Sequence, residues 1–209
     1  MVEINSKDYR DYYIKDGKLI GEFEQCYQKI DDPWDVGDAL DITYNITLGV
    51  IESFYKAGQK LLDLGCGKGV FTKRIKDRCQ CYTVGSDISK TACRKASISY
   101  PDITFIPYDL LKFEQCPFKE EQFDIILLNK VLWGLIPRLS EIMRFVPYLI
   151  RQGGYLIISQ HLFHPANQTY GKDVLSTVQD LEKMISIKKE LLIEFMLGVN
   201  PYIILVSQK

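Results

Sequence analysis

From residue 60 onward the chain alternates short apolar runs with stretches whose apolar residues recur every three or four positions. Runs at 60–64, 81–86, 103–106, 123–128 and 155–159 predict strands. Phe123-Asp124-Ile125-Ile126-Leu127-Leu128 is nearly continuous in apolar residues, as a strand buried on both faces should be. Helices are predicted at about 69–78, from the Ser89 cap to Pro101, over 137–150 with Pro137 at its start, and along 173–189. Gly153-Gly154 leads into the fifth strand. The chain then ends in two strands, 190–197 and 202–207, joined tightly enough through Gly198-Val199-Asn200-Pro201 for an antiparallel hairpin. Alternation of this kind is the signature of a parallel α/β sheet.

The first 57 residues read differently. Residues 1 to about 20 are polar and tyrosine-rich, with a turn signal at Asp16-Gly17. A short helix is expected over 21–30, with Phe23, Cys26, Tyr27 and Ile30 on one side. Asp31-Asp32-Pro33-Trp34 reads as a loop or cap. An amphipathic helix follows from Asp38 to Lys56, carrying Leu40, Ile42, Ile46, Val50, Ile51, Phe54 and Tyr55, with Gly58 as its left-handed cap.

Composition narrows the picture. At 209 residues, with 46% hydrophobic and 25% charged residues, the chain fits one globular domain. A net charge of -1 offers no footprint for nucleic acid. The basic run Lys73-Arg74-x-Lys76-x-Arg78 reads as a solvated helix face. The six cysteines form neither a CxxC pair nor a metal-ligand spacing, so no metal is expected, and free thiols fit a reducing cytosol. The start lacks a basic-then-apolar leader and no apolar run reaches membrane-spanning length, so the expected location is cytoplasmic.

Chemistry concentrates at Asp63-Leu64-Gly65-Cys66-Gly67-Lys68-Gly69, where the first strand runs through a glycine-rich turn into a helix. Such a turn lets a ligand approach the backbone, and the helix start offers unpaired N–H groups. Asp87 ends the second strand about 20 residues on, the spacing at which a carboxylate reaches a ribose diol. The pattern leaves a dinucleotide fold and a nucleoside-cofactor fold in competition, since GxGxxG is absent. Each residue also has a plainer role: a tight turn for the glycines, helix or loop caps for Asp87 and Asp109.

The Asp-Leu-Gly-Cys-Gly-x-Gly pattern resembles the first motif of the class I S-adenosylmethionine-dependent methyltransferases, and the element order resembles theirs over about 55–209. That resemblance implies an α/β, Rossmann-like fold with helices on both faces of a seven-stranded, mostly parallel sheet whose last strand is antiparallel. It implies one domain, 1–209, in which 1–57 forms a helical lid and 58–209 the cofactor-binding core. S-adenosylmethionine would be the cofactor and S-adenosylhomocysteine the product. By resemblance Asp63, Gly65, Cys66 and Gly67 line its methionine side, Asp87 takes the ribose hydroxyls, and Ile88 packs on the adenine. Asp109 with Leu110 would read the adenine amino group, and the Asn129 backbone carbonyl would take the methionine ammonium.

Methyl transfer from a sulfonium is an in-line displacement, so the catalytic set can be sparse. The loop after the fourth strand, with Trp133, would be either packing or a substrate wall. The loop after the fifth, Gln160 to Asn167, carries both histidines, and His161 is the preferred base over His164. Phe23-Glu24-Gln25-Cys26-Tyr27 followed by Asp32-Pro33-Trp34-Asp35 resembles the N-terminal region of nodulation-type N-methyltransferases. There Tyr27 and Trp34 would fold over the cofactor, although Val36 to Asp41 departs from the pattern. The expected reaction is methylation of an amine or hydroxyl on a small molecule such as a sugar or amino sugar, by a monomer or homodimer. The rivals are a nicotinamide-dependent oxidoreductase and a non-catalytic binding protein of the same fold.

Overall fold

The computed structural model describes residues 4–34, 42–164 and 166–209. After a 3-10 turn, Tyr9–Asp11, a two-residue hairpin pairs β1 (Ile14–Lys15) with β2 (Lys18–Leu19). Its Asp16-Gly17 turn has positive φ at both positions, 50° and 69°, as a type I′ hairpin requires. Helix α1 (Phe23–Lys29) and helix α2 (Ile42–Phe54) complete the N-terminal part. The expected helix start at Asp38, with Leu40, lies outside the described residues. The far end stops at Phe54, and Gly58, at φ 84°, turns the chain four residues later rather than capping it directly.

The core then runs β3 (Lys60–Leu64), α3 (Val70–Cys79), β4 (Tyr82–Asp87), α4 (Lys90–Ser99), β5 (Thr104–Pro107) and β6 (Phe123–Asn129). It continues through α5 (Leu132–Leu135), α6 (Leu139–Leu149), β7 (Ile150–His161), α7 (Val178–Met184), β8 (Lys188–Leu197) and β9 (Asn200–Gln208). The sheet order is β5-β4-β3-β6-β7-β9-β8. Neighbours from β5 to β7 are parallel, and β9 runs antiparallel to both β7 and β8.

Because side chains alternate across a strand, the central strands feed two cores. Leu61, Ile125, Leu127 and Ile157 pack with Val50 and Ile51 of α2 and Phe71 and Ile75 of α3. Leu62, Ile126, Leu128 and Ile158 pack on the other side with Leu139, Ile142, Met143 and Val146 of α6. Ile125 to Leu128 are fully buried, each contributing about 1.5–3 kcal/mol of apolar burial. Helices therefore cover both faces, and the ligand end of the sheet stays open where β3, β4 and β6 finish.

Three boundaries differ from expectation. Residues 136–138 form a 3-10 turn, so α6 begins only at Leu139. Strand β7 begins at Ile150, which pairs with Phe123 across an irregular register, and not at Tyr155. The stretch 173–189 is helical only from Val178 to Met184, because Thr177 and Asp180 close a reciprocal capping box that starts the helix there. Beyond it the chain is extended again at Lys188. Among the described residues no helix is long and apolar enough to cross a membrane.

Candidate active site

A cavity of about 280 Å³ opens over the carboxyl ends of β3, β4 and β6. Its wall includes Asp63, Gly65, Cys66, Gly67, Asp87, Ile88, Asp109, Leu110 and Asn129 from the core, and Tyr27 and Trp34 from the N-terminal part. Residues chosen from six separate segments thus meet at one place.

The floor is built by backbone. Gly65 N and Cys66 N both donate to Ser86 O, at 2.7 and 3.0 Å, pinning the turn against β4. Gly65 has φ 85°, and a Cβ there would stand 2.7 Å from Val131 Cγ2. Gly67 has φ 53°, and its Cβ would lie 2.6 Å from the Tyr27 hydroxyl. Side chains at either position would close the cradle. The Asp87 carboxylate accepts from Gly67 N at 2.9 Å and Ser89 N at 2.8 Å, so it shapes the turn as well as facing the cavity. Asp63, 2% exposed, accepts from Thr72 Oγ1 at 2.6 Å. Burial pushes the Asp63 carboxyl up to about 7, against the pull of the Thr72 bond and helped by the nearby Asp87 charge. Burial likewise raises Asp87 to about 6 despite its two backbone donors. Two buried carboxyls with no cation beside them among the described residues suit a site completed by a ligand carrying donors. Cys66 is half-buried in the turn, its thiol raised by burial.

The flanks vary in exposure. Ile88 is 39% exposed at the rim. Asp109 accepts from Leu111 N at 3.0 Å and pairs with Lys112 at 3.1 Å, capping a 3-10 turn over Leu110–Gln115 while lining the cavity. The Asn129 Oδ1 atom is buried without a hydrogen-bond partner. An orphaned acceptor of this kind costs about 1–3 kcal/mol and fits a site that a donor-bearing ligand fills. The residues present therefore fit a nucleoside with an attached amino acid: a carboxylate at the end of β4, a glycine cradle and a buried acceptor with no hydrogen-bond partner among the described residues.

The cover comes from the N-terminal part. Tyr27 is buried, and burial raises its hydroxyl well above the ordinary value, with Trp34 pulling the other way. Trp34 stands edge-on to Tyr9 at 4.9 Å and to Tyr13 at 5.2 Å. Glu24 ties α1 to the start of α4, accepting from Ser89 Oγ at 2.7 Å, Thr91 N at 3.1 Å and Thr91 Oγ1 at 2.7 Å. An anion is favoured at a helix N-terminus. Lys95 Nζ donates to Tyr27 O and to Asp31, both at 3.0 Å.

His161 falls elsewhere. It is the last residue of β7 rather than a loop residue, paired with Tyr202, and it does not line the cavity. Its ring stacks at 6.4 Å from Tyr202 and lies 6.1 Å from Phe163. His164 is exposed beyond the strand. Trp133 is buried packing: it donates from Nε1 to His161 O at 2.9 Å and sits against Phe163. The end of β7 holds α5 in place, since the buried Gln160 Oε1 accepts from Leu132 N at 3.0 Å.

The cavity also contains residues that the sequence did not single out for it: Tyr13, Phe23, Tyr44, Tyr108 and Lys130. Lys130 had a faint signal, as the first charged residue after the most apolar strand. Tyr44 had none, because its helix shows only an apolar stripe.

A family model described as a methyltransferase domain matches residues 55–195. Ribosomal protein L11 methyltransferase of Campylobacter concisus is 24% identical over 145 residues, which is 69% of this chain and 48% of the relative. The bifunctional methionine biosynthesis protein MetXA/MetW of Rhodopirellula baltica is 28% identical over 127 residues, 57% of this chain and 19% of the relative. The matches span at most about half the length of these curated relatives. The crystal structure of the N-methyltransferase NodS from Bradyrhizobium japonicum, in complex with S-adenosyl-L-homocysteine, has the same fold. It aligns with a TM-score of 0.67 at 16% identity, over 85% of this chain and 92% of that one. The sheet order with its single antiparallel strand is that of class I methyltransferases, and the chain belongs to the methyltransferase-domain family.

Proposed function

We propose that the protein transfers a methyl group from S-adenosylmethionine to an amine or hydroxyl of a small molecule, releasing S-adenosylhomocysteine. The observation that carries this reading is the convergence of the glycine cradle, Asp87 and the orphaned Asn129 amide oxygen in one cavity. Bound there, the cofactor supplies the electrophilic methyl carbon. Asp63 and the turn glycines hold the amino-acid end, and the Asn129 backbone carbonyl accepts from its ammonium. Asp87 accepts from the ribose hydroxyls with the lone pairs its backbone donors leave open. Ile88 and Leu110 pack on the adenine, and Asp109 accepts from its amino group. Residues 1–57 act as the cover and 58–209 as the core, with Tyr27 and Trp34 excluding water from the displacement. A base is not required of the cover, because orientation and shielding supply most of what an in-line displacement needs.

The test is a thermal-shift titration with S-adenosylmethionine, S-adenosylhomocysteine and NAD(H) in parallel. At a hundred times its dissociation constant a ligand adds about 2.7 kcal/mol to the native state, which moves a domain of this size by several degrees at about 2–4 °C per kcal/mol. A rise with the two adenosyl ligands that Asp87→Ala abolishes supports the reading. A rise with NAD(H) alone overturns it. Amino-sugar acceptors, suggested by the likeness of the N-terminal part to the nodulation enzymes, belong in the first acceptor panel beside simple hydroxyl compounds.

A further inference from the structure

The segment that carries Asp109 into the cavity has little hold of its own. It is a 3-10 turn over Leu110–Gln115 whose backbone leaves helical geometry at Lys112, with φ -108° and ψ 49°. Turns of this kind have poor hydrogen-bond geometry and persist only in short pieces. Asp109, Leu110 and Leu111 nevertheless all line the cavity. Leu111 is held through both of its backbone groups. Its N–H donates to Asp109 Oδ1 at 3.0 Å, and its carbonyl accepts from Arg138 Nη1 at 2.8 Å.

Arg138 ends the 3-10 turn that precedes α6 and is not part of the cavity wall. Its guanidinium is engaged on every edge. Nη1 and Nη2 donate to the Glu114 carboxylate at 3.2 and 2.7 Å, while Nε and Nη2 donate to that of Glu141 at 3.2 and 2.6 Å. The guanidinium carbon lies 4.2 Å from the Phe113 ring centroid, and Phe113 stacks on Phe145 of α6 at 5.2 Å. A planar fork presents paired donors to a carboxylate in a way that a lysine ammonium cannot. Leu111, Phe113 and Glu114 belong to the turn, whereas Glu141 and Phe145 belong to α6, whose inner face packs in the core. Arg138 thus fastens a weakly self-supported turn to a firmly seated helix.

We propose that Arg138 is a positioning residue for the adenine end of the cofactor, setting through Leu111 where the Asp109 carboxylate stands. This rests on the cofactor reading above and adds to it the source of base selectivity. Adenine offers an amino group to an acceptor at Asp109. A base with a carbonyl in the same place would set acceptor against acceptor, leaving both groups unpaired. The preference for the amino base then depends on how closely Asp109 is held, and Arg138 holds it without touching the ligand.

The probes are S-adenosylhomocysteine and S-inosylhomocysteine, in which a carbonyl replaces the adenine amino group, with dissociation constants measured by calorimetry. The wild-type protein is expected to prefer the adenosyl ligand by about tenfold to a hundredfold, the worth of one charge-assisted bond. Arg138→Met should lose about three- to tenfold of that preference by weakening the adenosyl ligand alone, because such bonds weaken steeply off their geometry. Arg138→Lys, which keeps the charge without the fork, should retain part of it. A merely structural role would weaken both ligands alike and leave their ratio unmoved, and that result overturns the proposal. Glu114→Gln, at an exposed carboxylate outside the cavity wall, should shift the ratio the same way and carries the test if Arg138→Met does not fold. If S-adenosylhomocysteine does not bind at all, the cofactor reading fails and this inference with it. If the wild-type protein binds both ligands equally, Asp109 does not read the amino group, and the inference falls while the cofactor stands. If the wild-type protein discriminates and the variants discriminate as well, only this inference falls.

Discussion

The floor and the cover of the cavity are built on opposite plans. The floor is backbone: β3, β4 and β6 end side by side, Gly65 and Cys66 hang from Ser86, and Asp87 holds Gly67. The proposed cover is side chain: rings from four stretches, Tyr13, Phe23 with Tyr27 on α1, Trp34, and Tyr44, line the opening. A floor of this kind fixes one ligand geometry to a fraction of an ångström. A cover of packed rings can accept change at one ring while the others remain.

That contrast orders the expected effects of substitution. The largest should follow Asp87→Ala, which removes two backbone partners and the proposed diol contact together. At about 1.5–3 kcal/mol per charge-assisted bond, affinity for S-adenosylhomocysteine should fall about a hundredfold or more by calorimetry. A loss below about fivefold would mean the floor does not read the ribose through Asp87.

Gly67→Ala tests the seam between the two regions. Its backbone is left-handed and its new Cβ would meet the Tyr27 hydroxyl, so both strain and clash apply. Strain of about 1–2 kcal/mol plus the lost closure should weaken cofactor binding about thirtyfold. Adding Tyr27→Phe should recover part of this by removing the obstructing oxygen. No recovery in the double variant would separate cover from floor.

Titration should give the two regions opposite signs. Asp63 and Asp87 have folded-state values of about 7 and 6, above the ordinary 3.8, because burial disfavours their charge. Rising pH therefore strips protons from the unfolded chain first, and ligand-free stability should decline from about pH 4 to pH 7. Glu24, lowered to about 2 by its bonds to Thr91 and Ser89 against some burial, works the other way. Its contribution is present above its ordinary value of 4.5 and fades as pH falls toward 2. Melting temperatures of the free chain across pH 5–8 should drop, and Asp63→Asn should flatten the slope, at about 1.4 kcal/mol per unit of displaced ionisation. A flat wild-type profile would refute the burial account.

The smallest effect is expected at Trp34→Ala. It removes a cover ring while leaving the floor whole, so cofactor affinity should change by only about two- to fivefold in the same calorimetric measurement. A loss as large as that of Asp87→Ala would erase the distinction.

The same contrast explains what could be read from the chain. The floor was legible because its information is local: Asp63 to Gly69 declares strand, turn and helix within seven residues, and Asp87 follows at a fixed interval. The sheet was legible because alternation forces parallel strands. Element ends were less so, since Thr177 and Asp180 start α7 through side-chain bonds that an apolar stripe over 173–189 cannot reveal. His161 was expected in a loop because the apolar run of the fifth strand stops at Ser159, yet β7 continues through His161, which does not line the cavity. Lys130 and Tyr44 meet across 86 positions of sequence, and no local pattern announces a ring seated under an ammonium.

Glu24 carries a consequence for timing. The helix it ties down holds the proposed cofactor cover, and the helix start it binds follows directly from the proposed ribose carboxylate, Asp87. The N-terminal part and the core are thereby fastened through this carboxylate and through Lys95, which donates to Tyr27 O and Asp31. If the proposed cover opens to release the spent cofactor, these bonds, three of them to a single carboxylate, must let go together. Release, rather than the displacement at carbon, becomes the step that such a fastening governs.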